Sequence, residues 1–338
     1  MEVKTINREG YTHVLIKNSC GMEVELSPVG ASIYDIKVPN KNGEVVSVLL
    51  KPSYMGDFKR TYYGKTIGRF SGRINKGVCN IDGVEYKLDI NWCDANSLHG
   101  GFNGVSSQMF DFTYNVSDDL CEVVFTYVEA EGMLPGTVNY EIVYQIKNDS
   151  KEITTIHNAT TNKTTVVNMT NHAYFNLSGN CKTTILNHNL YLPCNKYTNL
   201  NNELITVSID DVNEVFDFRD AHNVGKYVED SSLQNHKANG YDHCFMKTDE
   251  ANPLIAILSD NESGIKLEIS SDYPSVVFYS GCYPDSFPVN DDKANSFKYH
   301  ALCLEPQFIP NGINMDNVPT ALLHPEEKYS HYIKYTFE

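Results

Sequence analysis

Apolar and polar residues alternate along much of the chain with the two-residue period of a β-strand. Val84, Tyr86, Leu88 and Ile90 alternate with Glu85, Lys87, Asp89 and Asn91, which sends the apolar groups to one face and the polar groups to the other. This predicts a half-buried strand over 84–90. The same alternation runs through Val138, Tyr140, Ile142, Tyr144 and Ile146, through Ile265, Leu267 and Ile269, and through Tyr329, His331, Ile333, Tyr335 and Phe337. Asn42-Gly43, following Pro39, separates the runs 33–38 and 44–50, and Asp82-Gly83 separates 78–81 from 84–90. Both dipeptides tolerate positive φ, so each predicts a type I′ turn between antiparallel strands. Helical periodicity is confined to about 53–60 and 229–234, which argues against alternating βα units. The polar stretch 180–202 reads as loop, except that Leu190-Tyr191-Leu192 predicts a further strand within it. No Pro-rich, Ser/Gly-rich or charged tract interrupts the pattern, so one large all-β domain over 1–338 with few short helices is expected.

Composition narrows the function. With 338 residues, 41% hydrophobic and 11% aromatic, the chain can bury a large core. Lys plus Arg number 27 against 43 Asp plus Glu, a formal charge of −16. That field repels phosphate backbones and anionic lipid, so neither nucleic acid nor a membrane surface is an expected partner. A neutral small molecule fits the field more easily than a phosphorylated one. Nine Cys without a Cys-x-x-Cys pair cannot all close into disulfides, and free buried thiols in a reducing compartment are expected. No apolar h-region follows Met1 and no run nears the ~18 apolar residues of a bilayer span. The expected setting is cytoplasmic.

Phosphate-binding loops, the dinucleotide Gly fingerprint, His-Glu-x-x-His and Gly-x-Ser-x-Gly are all missing from the chain. What stands out is a set of polar strings inside strand-like sequence. Gly68-Arg69-Phe70-Ser71-Gly72-Arg73-Ile74 carries two Arg four apart, which would share a face in extended chain. Asn96-Ser97-Leu98-His99-Gly100-Gly101 sets a His beside two Gly that allow close backbone approach to a ligand. Asn171-His172-Ala173-Tyr174-Phe175-Asn176 packs polar and aromatic groups too densely for a plain core strand. Leu304-Glu305-Pro306-Gln307 puts a carboxylate directly after an apolar run. Burial raises the pKa of such a carboxylate and a nearby cation lowers it again, so Glu305 is a candidate base. Taken singly, each string also fits a structural hydrogen-bond or ion-pair network.

Together with Tyr241-Asp242-His243-Cys244-Phe245, these strings, in this order, resemble the aldose 1-epimerase (galactose mutarotase) family. Val48-Leu49-Leu50 and Phe278-Tyr279-Ser280-Gly281 are similar to it as well, so the resemblance covers nearly the whole chain. It implies a large antiparallel β-sandwich of the galactose mutarotase-like supersandwich type with a sugar site in an open cleft. It implies that Glu305 is the general base and His172 the general acid, and that Arg73, His99 and Asp242 bind hydroxyls or the ring oxygen of a free aldose. Opening a hemiacetal needs one group to take the anomeric proton and one to protonate the ring oxygen; no metal or other cofactor is implied. The scheme needs Glu305 ionised and His172 protonated at one pH. Two departures concern substrate contacts: Gly72 stands where many members carry Asn, and Val277 where many carry Gln. A glycoside hydrolase using Asp242 and Glu305 as its carboxylate pair, and a non-catalytic sugar-binding protein, stay open at this point, as do monomer and homodimer.

Overall fold

In a computed structural model, residues 1–234 and 237–338 are described. The chain forms three principal antiparallel sheets. A five-stranded sheet runs in chain order from Glu2–Arg8 to Val45–Ser47. A nine-stranded sheet takes the long strands Leu120–Glu129, Val138–Lys147 and Glu152–Thr161, then Tyr329–Phe337, Lys266–Ser271 and Leu254–Ser259. A six-stranded sheet is ordered Tyr174–Phe175, Leu302–Gln307, Ser275–Tyr279, Asp242–Lys247, Cys194–Leu200, Thr206–Asp211. One buried apolar cluster joins all three, from Val14 and Ile36 through Ile142 and Phe278 to Phe337. The expected all-β architecture is thus present, and Phe175 against Tyr335, ring centroids 5.4 Å apart, is one contact that ties the six-stranded sheet to the nine-stranded one.

The sheets differ in how they meet solvent, and the sequence pattern follows. Along Val138–Lys147 the apolar positions Val138, Tyr140, Ile142, Tyr144 and Ile146 are buried while Asn139 and Glu141 are exposed, the alternation of a sheet wet on one side. Every residue of Leu302–Gln307 and of Ser275–Tyr279 is buried. One face of the six-stranded sheet packs on the core through Phe245, Phe278 and Leu304. The other carries Asp242, Val277, Tyr279, Glu305 and Gln307 into a cavity. A strand wet on neither face loses the two-residue period, which is why this sheet is the least visible in the sequence.

Several local expectations change. The strand over 84–90 is shorter, Val84–Lys87, and Val84 and Ile90 are 53% and 40% exposed. It pairs only with Val78–Ile81 in a two-stranded ribbon, too narrow to bury a full face. Its turn is as expected, with φ of 52° at Asp82 and 79° at Gly83. At Asn42-Gly43 only Gly43 has positive φ; the type I′ turn gives way to a longer loop organised by Asn40, whose Oδ1 accepts from the N–H of Asn42 at 2.9 Å and of Glu44 at 3.0 Å. Within 180–202 the predicted strand is present as Asn189–Tyr191, and Cys194–Leu200 is a second one, so the chain passes there from the nine-stranded to the six-stranded sheet. Helices appear where expected, trimmed to Met55–Lys59 and Ser231–Gln234. Finally, all nine Cys are free, but Cys93 is exposed and Cys20 partly so.

Candidate active site

The five candidate residues come from distant points of the chain and meet in a cavity of about 380 Å³ on the six-stranded sheet, the size range of small-molecule sites. Glu305 stands on Leu302–Gln307, the strand next to the sheet's edge strand Tyr174–Phe175. Alternation puts Cys303, Glu305 and Gln307 on one face of it. Across the sheet Glu305 pairs with Val277, and Val277 pairs with Cys244. Asp242, two residues before Cys244, opens its strand opposite Tyr279.

His172 arrives from the sheet edge. Its N–H donates to the Lys65 carbonyl at 2.9 Å and its carbonyl accepts from the Gly64 N–H at 2.8 Å. Two residues later Tyr174 joins the six-stranded sheet beside Cys303. The imidazole stacks on Tyr174, centroids 4.9 Å apart at 17°, with Tyr62 on a parallel plane at 6.0 Å. Its two nitrogens have separate partners: Nε2 lies 3.6 Å from Glu305 Oε1, and Nδ1 lies 3.4 Å from Cys303 Sγ.

Arg73 and His99 are brought together locally, because Leu98 pairs with Arg73 and Ser97 with Ile74. The His99 N–H donates to the Gly72 carbonyl, and the Gly72 N–H donates to His99 Nδ1, both at 3.1 Å. A ring nitrogen that accepts carries no proton, so neutral His99 holds its proton on Nε2. Burial, followed by the charges of His172 and Arg73, pushes His99 well below the usual imidazole range and keeps it in that form. Gly72 adopts φ +74°, and a Cβ there would meet Pro310 at 2.5 Å. This close approach accounts for Gly where a larger residue was the family expectation. Arg73 Nη2 donates to Asp242 Oδ2 at 2.9 Å. Arg69, expected to share a face with Arg73, instead points away: the chain turns at Gly72, and Arg69 donates to the Pro135 carbonyl and to Thr165 and pairs with Glu129.

Burial dominates the electrostatics. It pushes Glu305 well above the usual carboxylate range; Asp242 adds to this and Arg73 opposes it. It pushes His172 down to about 3, with its own backbone hydrogen bond opposing and Arg73 adding a little. Both shifts run against the expected pairing of an ionised Glu305 with a protonated His172. Desolvation penalises both charges, and so favours the form in which the carboxyl holds the proton and the imidazole is neutral. Glu305 Oε2, Gln307 Oε1 and Arg73 Nε are buried without a hydrogen-bond partner among the described residues. Unpaired groups converging on a cavity are the complement of a polyhydroxylated ligand.

The donor atoms of His172, Cys303 and Glu305 lie within 4.8 Å of one another. Cys303 and Glu305 approach opposite nitrogens of the ring. Sequence reasoning missed Tyr62, Trp92, Tyr283 and Asp285 as lining residues. Three of them sit in irregular segments where no period indicates direction, and Tyr62 follows the short helix Met55–Lys59. The only available signal was Trp92, the single Trp in the chain, four residues before the Asn-Ser-Leu-His string.

An antiparallel sandwich that brings a carboxyl beside an imidazole in one cleft, with an Arg, an Asp and a second His around them, has the groups of an acid–base site. Comparison with known proteins gives the family. The family model described as aldose 1-epimerase matches residues 12–336, and the chain belongs to the aldose 1-epimerase family, an epimerase class of enzyme. It is 31% identical over 321 residues to a galactose mutarotase from Sus scrofa, covering 94% of this chain and 91% of the relative. It is 28% identical over 342 residues to an aldose 1-epimerase from Escherichia coli, covering 97% and 95%. Among solved structures, an aldose epimerase homologue from C. elegans superimposes with TM-score 0.85 at 25% identity, covering 100% of this chain and 99% of that one. A galactose 1-epimerase from Lactobacillus acidophilus has the same fold, with TM-score 0.86 at 22% identity and the same coverage.

Proposed function

We propose that this protein interconverts the α and β anomers of a free aldohexose such as galactose or glucose. The observation that carries the reading is the buried pair His172 Nε2 and Glu305 Oε1, 3.6 Å apart, with Glu305 Oε2 unpaired in the same cavity. Glu305 takes the proton of the anomeric hydroxyl while His172 Nε2 protonates the ring oxygen. The C1–O5 bond breaks, C1 becomes a carbonyl, the C1–C2 bond rotates, and the roles reverse as the ring closes on the other face. Arg73, His99 Nε2–H and Asp242 hold hydroxyls so that the reacting atoms stay aligned.

The proton count is the same in the resting and reacting pairs: one. Binding converts a carboxylic acid beside a neutral imidazole into a carboxylate beside an imidazolium. Sugar hydroxyls donating to Glu305 favour the carboxylate, and a ring oxygen accepting from Nε2 favours the imidazolium. No step calls for a metal, nucleotide or covalent intermediate. The ion pair between Asp242 and Arg73 supports a binding role for Asp242 over that of the second carboxylate in a hydrolase. The reading takes the chain as one domain, in keeping with a core running from Val14 to Phe337, and as a cytoplasmic protein, in keeping with nine free thiols.

Polarimetry of freshly dissolved α-galactose and α-glucose tests the reaction. The protein should speed the drift to anomeric equilibrium without moving its endpoint, and no acceleration with any common aldose would sink the reading. Glu305→Gln and His172→Asn should each lower kcat by roughly 10² or more, the usual order for general acid–base groups. A Glu305→Gln variant with near-normal kcat removes Glu305 from the role of base.

A further inference from the structure

Arg73 is a long side chain held by a single side-chain hydrogen bond among the described residues. Its Nη2 is bonded to Asp242, while its Nε is buried and unpartnered. What covers the plane of the guanidinium is Trp92: the Arg73 Cζ lies 4.5 Å from the centroid of the indole ring. An Arg clamped at its edge by a carboxylate and on its face by an aromatic ring has most of its rotamers removed.

The indole is itself held. It packs against the apolar group Leu200, Leu204 and Ala238 and meets Tyr283 edge-on at 6.0 Å. Its backbone is closed by reciprocal hydrogen bonds with Asn96, each 3.0 Å, around Cys93 and Asp94 at positive φ. That tight loop leads directly into Asn96-Ser97-Leu98-His99. The loop that presents His99 to the cleft therefore also presents Trp92.

We propose that Trp92 is the positioning residue for Arg73, keeping its guanidinium flat and aimed into the cleft so that its free N–H groups meet a sugar hydroxyl. The assignment rests on the reading of this cleft as an aldose site. Trp92 acts through Arg73 and takes no part in proton transfer. Without the indole, Arg73 populates its binding-competent orientation for only a fraction of the time, and apparent affinity falls by that fraction while the bound complex is unchanged. The signature is a raised KM at constant kcat.

A stacked cation in a desolvated site corresponds to roughly a five- to thirty-fold effect. Trp92→Leu keeps apolar packing against Leu200 and Leu204 but removes the π face, and KM for the best aldose should rise by about that factor with kcat within about two-fold. Trp92→Phe restores a face and should return KM to within a few-fold of the parent. In an Arg73→Ala background, Trp92→Leu should add nothing further, since the two side chains act as one unit. KM within two-fold of the parent in Trp92→Leu, alongside normal mutarotation by the parent, overturns the inference and leaves the proposed reaction standing. Because Trp92 is the only Trp, its emission tests the stacking without any turnover. Arg73→Ala should change the intrinsic fluorescence, and galactose added to the Glu305→Gln variant should change it in a saturable way. Emission indifferent to both overturns the inference whatever becomes of the reaction.

Discussion

At the residue scale, one cause moves Glu305 and His172 in opposite directions. Burial disfavours the charge on each, which raises the pKa of the carboxyl and lowers that of the imidazole. The reactive form holds one proton per pair, and it is lost in two ways. Below about pH 3 the pair takes up a second proton at His172. Above the raised value of Glu305 it loses the only one. The profile of kcat/KM, which reports the free enzyme, should be bell-shaped, with its alkaline limb set by the proton that rests on Glu305. Asp242 raises that value and Arg73 lowers it. Asp242→Asn should therefore move the alkaline limb to lower pH and Arg73→Ala to higher pH, measured after subtracting the spontaneous rate at each pH. Limbs that stay in place, or that shift the other way, would separate Glu305 from this proton.

At the element scale, strand register decides which side chains the sugar meets. Ser275–Tyr279 lies between the strands of Asp242 and Glu305, and Val277 pairs with Glu305 on one side and Cys244 on the other. Val277 thus faces the cavity, as the alignment of Phe278-Tyr279-Ser280-Gly281 requires; a slip of one residue would have put it in the core. Where a Gln could bond a hydroxyl, this chain offers an apolar surface. Val277→Gln should lower KM by a few-fold with little change in kcat, the effect of one neutral hydrogen bond of about 0.5–1.5 kcal/mol. Initial-rate polarimetry across sugar concentrations checks this, and an unchanged KM in a folded variant would mean that no hydroxyl lies over this strand. Gly72 is a different kind of departure. Its positive φ and the nearness of Pro310 make it a demand of the backbone, so a larger residue there is excluded by space before any sugar contact is considered.

At the scale of the whole molecule, the charge of −16 acts on the approach of the substrate. A neutral aldose feels none of this field to first order, whereas an anionic sugar is repelled until salt screens the charges. KM for the best neutral aldose should stay flat between about 0.05 and about 0.5 M salt, where the Debye length shrinks from above 10 Å to below 5 Å. KM for the corresponding uronic acid should fall over the same range. A strong salt dependence with the neutral sugar would point to a charged natural substrate and away from a free aldohexose.

The sequence by itself determined the class of fold and the chemical inventory. Alternation with period two survives wherever a strand is wet on one face, as in Val138–Lys147 and Tyr329–Phe337, and the side chains of the five polar strings are legible one by one. It could not say which of these residues converge. Arg69 and Arg73 share a string and part at Gly72, while Arg73 and Asp242, 169 positions apart, form an ion pair. Asp242 lies in a six-stranded sheet whose inner strands Ser275–Tyr279 and Leu302–Gln307 are buried on both faces and have no period to read, and Arg73 reaches it from a separate two-stranded pair with Ser97-Leu98. Trp92 joined the site through a loop closed on Asn96, and side-chain direction in irregular backbone leaves no trace in residue order. The opposite shifts of Glu305 and His172 were also decided only in three dimensions, since burial, and not residue type, is their largest cause.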